Sequence, residues 1–194
     1  MDTRTFFTDI IPISDPALRD QVAALSQIYT LPKGELVLRE GDPLTHIHFL
    51  VSGILRGFFL DYNGRDITDC FGVRCGVPAM PTFQFDSPCF ISIETLTECR
   101  LLRIPMEPAL YLLQHDTRLM QIYNQLLQHS LMEHWQIKTA LHKRTAMERY
   151  LWFLETYPGL IDQVTHRYIA SFLEISPVTL SRLRAALKQG VGKN

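Results

Sequence analysis

The chain has 194 residues, of which 46% are hydrophobic, and a formal net charge of −1 at pH 7. This length suffices for one well-buried core, or for one core and a small second domain. No apolar run approaches the ~18 residues that a membrane-spanning helix needs, so no membrane segment is expected. The opening residues MDTRTFFTDIIPISD lack a basic region followed by an apolar one. We therefore expect no secretory signal and a cytoplasmic location.

Residues from about 30 to 105 have the pattern of short β-strands separated by turns. ELVLRE alternates apolar and polar residues, and HIHFLVSG is a second strand candidate. ILRGFFLDYNGRDITDCF predicts two strands joined at Asn63-Gly64, which is a strong hairpin signal. CFISIETLTECRLLRI predicts two more strands, on either side of Thr95 to Thr97.

A long amphipathic helix is predicted after the strands, over about residues 116–141, with Asp116 as its N-cap. About 25 residues at ~1.5 Å each give a length of ~37 Å. Two apolar stripes follow its length, and two stripes need two packing surfaces. We expect one surface to be the chain's own β-domain and the other to be the same helix of a second chain. The alternative is a helix packed within one monomer. The predicted dimer interface consists of Leu119, Tyr123, Leu126 and Ile137, and the adjacent face carries Leu127, Leu131 and Trp135.

The C-terminal part of the chain is basic. HKRT at 142–145 interrupts the long helix, Thr145 is a candidate cap for AMERYLWFLETY, and Pro158-Gly159 ends that segment. Residues 142–194 contain eight basic and four acidic residues, a charge of +4, which leaves −5 for residues 1–141. Charge segregated in this way favours a basic tail that meets an anionic partner.

HRYIASFLEISPVTLSRLRAALKQ, residues 166–189, predicts two short helices. Thr165 is a candidate cap of the first, and Ser176 caps the second with Pro177 at its first position. The packed faces carry Ile169, Phe172 and Leu173 in the first helix and Leu180, Leu183 and Leu187 in the second. The opposite face of the second helix carries Val178, Ser181, Arg182, Ala185 and Gln189.

This exposed face suits a DNA major groove. Small residues allow close approach, and Arg182 can pair with guanine O6 and N7. Ser176 and Thr179 lie near the helix N-terminus, where they can hold a phosphate. The other interpretation is a helical hairpin in a core, with Arg182 and Arg184 merely solvated. The predicted DNA-binding residues are Ser176, Val178, Thr179, Ser181, Arg182 and Lys188.

RYIASFLEISPVTLSRLR resembles the helix-turn-helix signature of the Crp/Fnr family of bacterial transcription regulators. LPKGELVLREGDPLTHIHFLVSGILRGFF is similar to the cyclic-nucleotide-binding β-roll of that family. The resemblance implies an α+β fold, with a double-stranded, jelly-roll-like β-roll and a dimerisation helix in residues 1–141 and a helix-turn-helix domain in 142–194. It implies a homodimer that binds double-stranded DNA and RNA polymerase. It places Arg182 at the base-reading position and Ser176 and Thr179 at phosphate-contacting positions.

Two departures from the family pattern have physical consequences. The turn position that is usually glycine is Glu174, which predicts a positive φ at a non-glycine residue, at a cost of about 1 kcal/mol. Pro88-Cys89 stands where members that bind cyclic AMP have an Arg-Ser pair, and Val77-Pro78 stands near their Gly-Glu pair. A phosphate buried there would lack its arginine, so we expect an effector other than a cyclic nucleotide.

The segment PTFQFDSPCF offers a candidate pocket for an unknown small-molecule effector. Aromatic residues on strands are more often packing residues, so the alternative is that Phe83, Phe85 and Phe90 close the roll as core. The candidate pocket residues are Phe83, Gln84, Phe85, Asp86 and Cys89.

No cofactor or metal is expected, and the chain is not expected to be an enzyme. The cysteines at 70, 75, 89 and 99 lack the spacing of an iron–sulfur site. His46 and His48 share a strand face, as in a cupin metal motif, but the glutamate that would follow is missing. The sequence contains no G-x-S-x-G, H-E-x-x-H or P-loop motif. Two alternatives stay open: a cupin-like small-molecule-binding protein or metal enzyme, and a degenerate sensor that no longer binds DNA.

Overall fold

The computed structural model describes residues 1–82 and 87–191, except for the side chains of residues 189–191. The chain divides into two compact units. Unit 1 comprises Met1–Phe59 and Cys70–Ser130, and unit 2 comprises Leu60–Asp69 and Leu131–Asn194.

Within the described residues, eight strands form two four-stranded sheets. They are β1 (Gln27–Leu31), β2 (Leu36–Leu38), β3 (His46–Ser52), β4 (Leu55–Leu60), β5 (Asp66–Gly72), β6 (Pro78–Ala79), β7 (Ser92–Thr95) and β8 (Cys99–Pro105). One sheet has the order β1-β8-β3-β6 and the other β2-β7-β4-β5. The six predicted strands are confirmed as β2, β3, β4, β5, β7 and β8.

The hairpin between β4 and β5 forms where Asn63-Gly64 predicts it. The Asp61 carboxylate accepts hydrogen bonds from the backbone N–H groups of Asn63 at 2.8 Å and Arg65 at 2.9 Å. Gly64 has a φ of 73°, a value that glycine adopts at little cost. The local turn chemistry therefore fixes this connection.

The helices of the described residues lie before and after the strands. They are α1 (Thr3–Thr5), a π-helical turn (Phe6–Ile10), α2 (Pro16–Leu25), α3 (Met106–His115), α4 (Thr117–Lys143), α5 (Ala146–Thr156), α6 (Leu160–Gln163), α7 (His166–Phe172) and α8 (Pro177–Val191). The predicted long helix is confirmed as α4. Asp116 caps it, because its carboxylate accepts from the backbone N–H of Arg118 at 2.9 Å. No described helix has the length and apolar character needed to cross a membrane.

The described residues of unit 1 form two hydrophobic clusters, on opposite faces of one sheet. Successive residues of a strand point to opposite faces, so Leu50 of β3 packs between the two sheets while Phe49 and Val51 pack against the helices. The cluster between the sheets contains Leu38, Leu50, Leu55, Ala79, Cys89, Ile93, Cys99 and Leu101. The other cluster includes residues of α2, α3 and the start of α4, among them Leu18, Leu112 and Leu119.

Unit 2 is organised around an aromatic cluster. Thr145 and Glu148 form the capping box that starts α5, which confirms Thr145 as a cap. The Phe153 ring lies 5.3 Å from Tyr157 and 5.9 Å from Phe172 between centroids, and so joins α5 to α7. Residues 60–69 belong to the same unit, where the backbone N–H of Thr68 donates to Ser171 Oγ of α7 at 2.9 Å.

Candidate nucleic-acid interface

The two predicted short helices are α7 and α8, and their predicted contact faces are buried. Ile169, Phe172 and Leu173 are at most 1% exposed, and Leu180 of α8 is equally buried. Leu183 and Leu187 are half-buried on the same side of α8. Thr165 precedes α7 but its side chain makes no cap hydrogen bond, unlike the prediction.

The turn between these helices contains the predicted strain at Glu174. Glu174 has a φ of 53°, and among the described residues it is the only non-glycine residue with a positive φ. Its backbone N–H donates to Ser171 O at 3.0 Å, and that of Ile175 donates to Ala170 O at 3.0 Å. These two bonds form the Schellman motif, which requires a left-handed residue at the first position after the helix cap. The motif therefore holds Glu174 in a conformation that glycine adopts more readily.

Replacing Glu174 by glycine is expected to raise the free energy of unfolding of unit 2 by about 1 kcal/mol, because the left-handed conformation no longer crowds a Cβ atom. Urea unfolding measures this change. Glu174→Ala is the matched control, since it keeps the Cβ atom and removes the ion pair with Arg149, which spans 3.6 Å. A glycine variant no more stable than the alanine variant would contradict this account.

The N-terminus of α8 has the predicted cap. Ser176 Oγ accepts a hydrogen bond from the backbone N–H of Thr179 at 3.0 Å and lies 2.9 Å from Thr179 Oγ1. Pro177 occupies the first helical position, where its missing N–H leaves no bond unmade. Both hydroxyl groups therefore lie at the positive end of α8, where an anion is stabilised by the helix dipole.

The exposed face of α8 combines small side chains with cations. Val178, Ser181, Arg182, Ala185 and Lys188 are all exposed. Among the described residues, neither Arg182 nor Lys188 has a hydrogen-bond or ion-pair partner. The Gln189 side chain, placed by the sequence on this face, lies outside the described residues.

Arg184 differs from Arg182, although the two stand one residue apart. Arg184 is half-buried, and its Nη1 lies 3.1 Å from Nδ1 of His166 at the start of α7. Arg184 therefore ties α8 to α7, a role that sequence periodicity did not reveal. Arg182 is left as the arginine of α8 that is available to a ligand.

The predicted dimer stripe on α4 faces the chain's own core at its N-terminal end. Leu119 is buried in the helix-side cluster of unit 1, and Leu126 packs against the same cluster. Tyr123 and Ile137 are half-buried, and burial raises the pKa of Tyr123. Leu119 and Leu126 therefore contribute to the chain's own core, and the role of Leu119, Tyr123, Leu126 and Ile137 in a dimer interface stays a prediction. The large exposed apolar side chains of α4 are instead Leu131, Met132 and Trp135, each more than half exposed.

The candidate effector pocket is described only at Cys89. Phe83, Gln84, Phe85 and Asp86 lie outside the described residues. Cys89 is 2% exposed and packs between the two sheets of unit 1. Its backbone N–H donates to Asp42 O at 2.9 Å, and its carbonyl accepts from Gly41 N–H at 2.8 Å. Cys89 therefore closes the roll as a core residue. Phe90, by contrast, is exposed and not packed as core.

The two histidines of HIH lie on β3 in unit 1. His48 Nδ1 is 2.8 Å from the Tyr29 hydroxyl, and burial lowers the pKa of His48 to about 4 and raises that of Tyr29 to about 12. His46 Nδ1 is 3.0 Å from Thr45 Oγ1. Within the described part of the chain, no group of three or more His, Cys, Asp or Glu side chains is arranged to hold a metal ion.

Comparison with known proteins shows what the β-rich part is similar to. Residues 29–116 match the cyclic nucleotide-binding domain. No curated protein sequence matches the chain significantly.

Solved structures extend the match over most of the chain. FixK2 from Bradyrhizobium japonicum is 16% identical, with a TM-score of 0.75 and 85% of each chain covered. The c-di-GMP-responsive global regulator CLP from Xanthomonas campestris is 18% identical, with a TM-score of 0.71, covering 91% of this chain and 93% of CLP. A transcriptional regulator assigned to the crp/fnr family, from Eubacterium rectale, is 18% identical, with a TM-score of 0.72, covering 95% of this chain and 87% of its own.

These matches show the fold of the chain: a β-rich part similar to a cyclic nucleotide-binding domain, followed by a helical C-terminal part. The chain has the fold of the Crp/Fnr transcription regulators, as its sequence predicts.

Proposed function

We propose that this chain is a cytoplasmic, non-enzymatic transcription regulator that binds specific DNA sites as a homodimer through α8. The observation that carries the proposal is Arg182, an exposed guanidinium with no partner among the described residues, flanked by small side chains on a helix whose other face is buried. A guanidinium with this freedom can donate two hydrogen bonds to one guanine. The Crp/Fnr fold supports the proposal.

The other exposed groups of α8 have complementary roles in the proposal. Ser176 and Thr179 donate hydrogen bonds from the helix N-terminus to a backbone phosphate. Val178 and Ser181 face the base edges, where Val178 can contact a thymine methyl group. Lys188 neutralises a phosphate about two turns further along the helix.

A dimer places two copies of α8 on one duplex. In helix-turn-helix dimers the two recognition helices enter successive major grooves about 34 Å apart, so the expected site is palindromic. Residues 142–194, the proposed DNA-binding domain, carry a charge of +4, which suits a polyanion. Residues 1–141 are the proposed sensing and dimerisation domain, and RNA polymerase is the proposed protein partner.

The proposed effector is a small molecule other than a cyclic nucleotide. The support is at Pro88 and Cys89, an uncharged pair that the sequence resemblance aligns with the family's phosphate-binding arginine and serine. Because Cys89 packs as core, a phosphate at this position would find no cation on either residue. The roll would therefore need a ligand with different chemistry.

Selection of bound fragments from the source genome tests the DNA-binding function. The expected result is enrichment of a palindromic motif whose half-sites are about one helical turn apart. Affinity for that motif should fall steeply as the salt concentration rises, because bound phosphates release counterions. Recovery of fragments without a shared motif, combined with no detectable duplex binding at low salt, would contradict the function.

Leu131→Glu is expected to convert the dimer to a monomer at micromolar concentration. Leu131 is 52% exposed and shares a helix face with Trp135, which is 55% exposed. A carboxylate in the centre of such an apolar contact loses its hydration without gaining a partner. Sedimentation measures the change.

Gln136→Glu is the matched control, because it adds the same charge to an exposed position about 140° away around α4. The control should remain dimeric. An unchanged dimer in Leu131→Glu would show that the interface lies elsewhere on the chain.

A further inference from the structure

The face of β3 that carries His46 and His48 has features that DNA binding does not use. The two side chains stand at positions i and i+2 of one strand, so they share a face of the sheet. Their ring centroids are 5.9 Å apart. Each ring has one nitrogen close to a hydroxyl group: His48 Nδ1 to Tyr29 and His46 Nδ1 to Thr45.

The hydroxyl contacts leave the same nitrogen of both rings available. A hydroxyl oxygen accepts as well as donates, so each Nδ1 can carry the ring proton and leave a lone pair on Nε2. Among the described residues, Nε2 of His46 and of His48 has no hydrogen-bond partner, and neither atom is completely buried. Two neutral imidazoles with Nε2 free are the ligands that borderline divalent metals prefer.

We propose that His46 and His48 form a two-imidazole site for a divalent transition-metal ion such as Ni²⁺ or Zn²⁺, with water in the remaining coordination positions. Tyr29 and Thr45 act in this site as the outer partners that orient each ring through Nδ1, as hydrogen-bond acceptors do around known metal ligands. The site does not depend on the DNA-binding function.

The separation of the two rings fits one shared ion. A metal–nitrogen bond of about 2.0–2.1 Å places the ion about 3.2 Å from each ring centroid. Two imidazoles on one ion then have centroids ~5.2 Å apart at a tetrahedral angle and ~6.4 Å apart on opposite sides of the ion, by the same bond length. The observed 5.9 Å lies in this range. His46 is half-buried, whereas His48 is buried and contacts the Tyr29 hydroxyl.

One nearby charge opposes a cation. Arg103 of β8 lies in register with His48, bonds Gln27 Oε1 at 2.6 Å and 3.1 Å, and lies 5.0 Å from the Tyr29 ring centroid. Its positive charge weakens metal binding, but its side chain contacts Gln27 and Tyr29 and leaves both imidazole rings accessible to a metal ion. The site is therefore expected to be weaker than one with three protein ligands, and to tighten when that charge is removed.

Calorimetric titration of the full chain, without a histidine tag, tests the proposal with Ni²⁺, Co²⁺ and Mn²⁺. The expected result is one ion per chain, with affinity in the order Ni²⁺, Co²⁺, Mn²⁺. His46→Gln and His48→Gln should each lower the Ni²⁺ affinity at least tenfold. Arg103→Gln should raise it several-fold.

Two control variants remove other exposed metal-binding groups. His142→Gln and Cys75→Ser change exposed side chains outside β3 and should leave the Ni²⁺ affinity unchanged. His46→Gln changes a half-buried side chain and keeps the test valid where His48→Gln fails to fold. The proposal is overturned by absence of Ni²⁺ binding in the unmodified chain, or by equal affinity in that chain and His46→Gln.

Discussion

Phe153→Ala is expected to lower the free energy of unfolding of unit 2 by about 3–5 kcal/mol, the usual cost of replacing a buried aromatic residue by alanine. Phe153 is fully buried between Tyr157 and Phe172. Its removal leaves a cavity between α5 and α7, and α7 in turn supports α8. Urea unfolding followed by tryptophan fluorescence measures the destabilisation, since Trp152 packs on Phe172 with ring centroids 6.1 Å apart.

Leu151→Ala is the control for this variant, because Leu151 lies on the same helix but is 38% exposed. It should cost about 1 kcal/mol or less, in keeping with the smaller apolar area that it buries. The assignment of Phe153 as the centre of unit 2 fails if its replacement costs no more than that of Leu151.

Glu94→Ala is expected to lower the free energy of unfolding of unit 1 by about 3–5 kcal/mol, the usual cost of removing one partner of a buried ion pair. Arg56 and Glu94 face each other on β4 and β7, and Arg56 Nη1 lies 2.5 Å from Glu94 Oε1. The Arg56 side chain is 1% exposed and that of Glu94 is 16% exposed. The variant deprives a desolvated guanidinium of this carboxylate, and denaturant unfolding measures the effect.

The double variant Arg56→Met/Glu94→Leu separates the charge effect from packing. Two apolar side chains of similar volume remove the buried charge together with its partner, which often leaves stability unchanged or raises it. The double variant is therefore expected to be more stable than Glu94→Ala. A double variant as unstable as the single one would assign the destabilisation to packing instead.

The elements that the sequence predicted well are those with strong local signals. The apolar run in HIHFLVSG, the Asn63-Gly64 turn and the cap at Asp116 each act over a few residues, and the structure confirms all three. The left-handed conformation of Glu174 was predicted from the family resemblance, in which this turn position is usually glycine, and the structure confirms it with a φ of 53°. Strand β6 was not predicted, because Pro78–Ala79 is too short to show an alternation of apolar and polar residues.

The site features that the sequence did not predict depend on distant contacts. The apolar stripes of α4 predict two packing surfaces, and only the tertiary structure shows that Leu119 faces the chain's own core. The contact of Arg184 with His166 distinguishes it from Arg182, although periodicity alone treats both as solvated. The Tyr29–His48 contact joins β1 to β3 across β8 and has no local signal.

Binding of Arg182→Ala and Lys188→Ala to the selected palindrome and to a random duplex, at two salt concentrations, tests the central claim most directly. Arg182→Ala is expected to cost about 1–3 kcal/mol on the palindrome, to leave binding to the random duplex nearly unchanged, and to relax preference at one base pair per half-site. Lys188→Ala should weaken both duplexes alike and lower the salt slope by about one unit for each phosphate that the lysine no longer neutralises. Equal weakening on both duplexes for Arg182→Ala, or weakening below about 0.5 kcal/mol for both variants, would contradict base reading by α8.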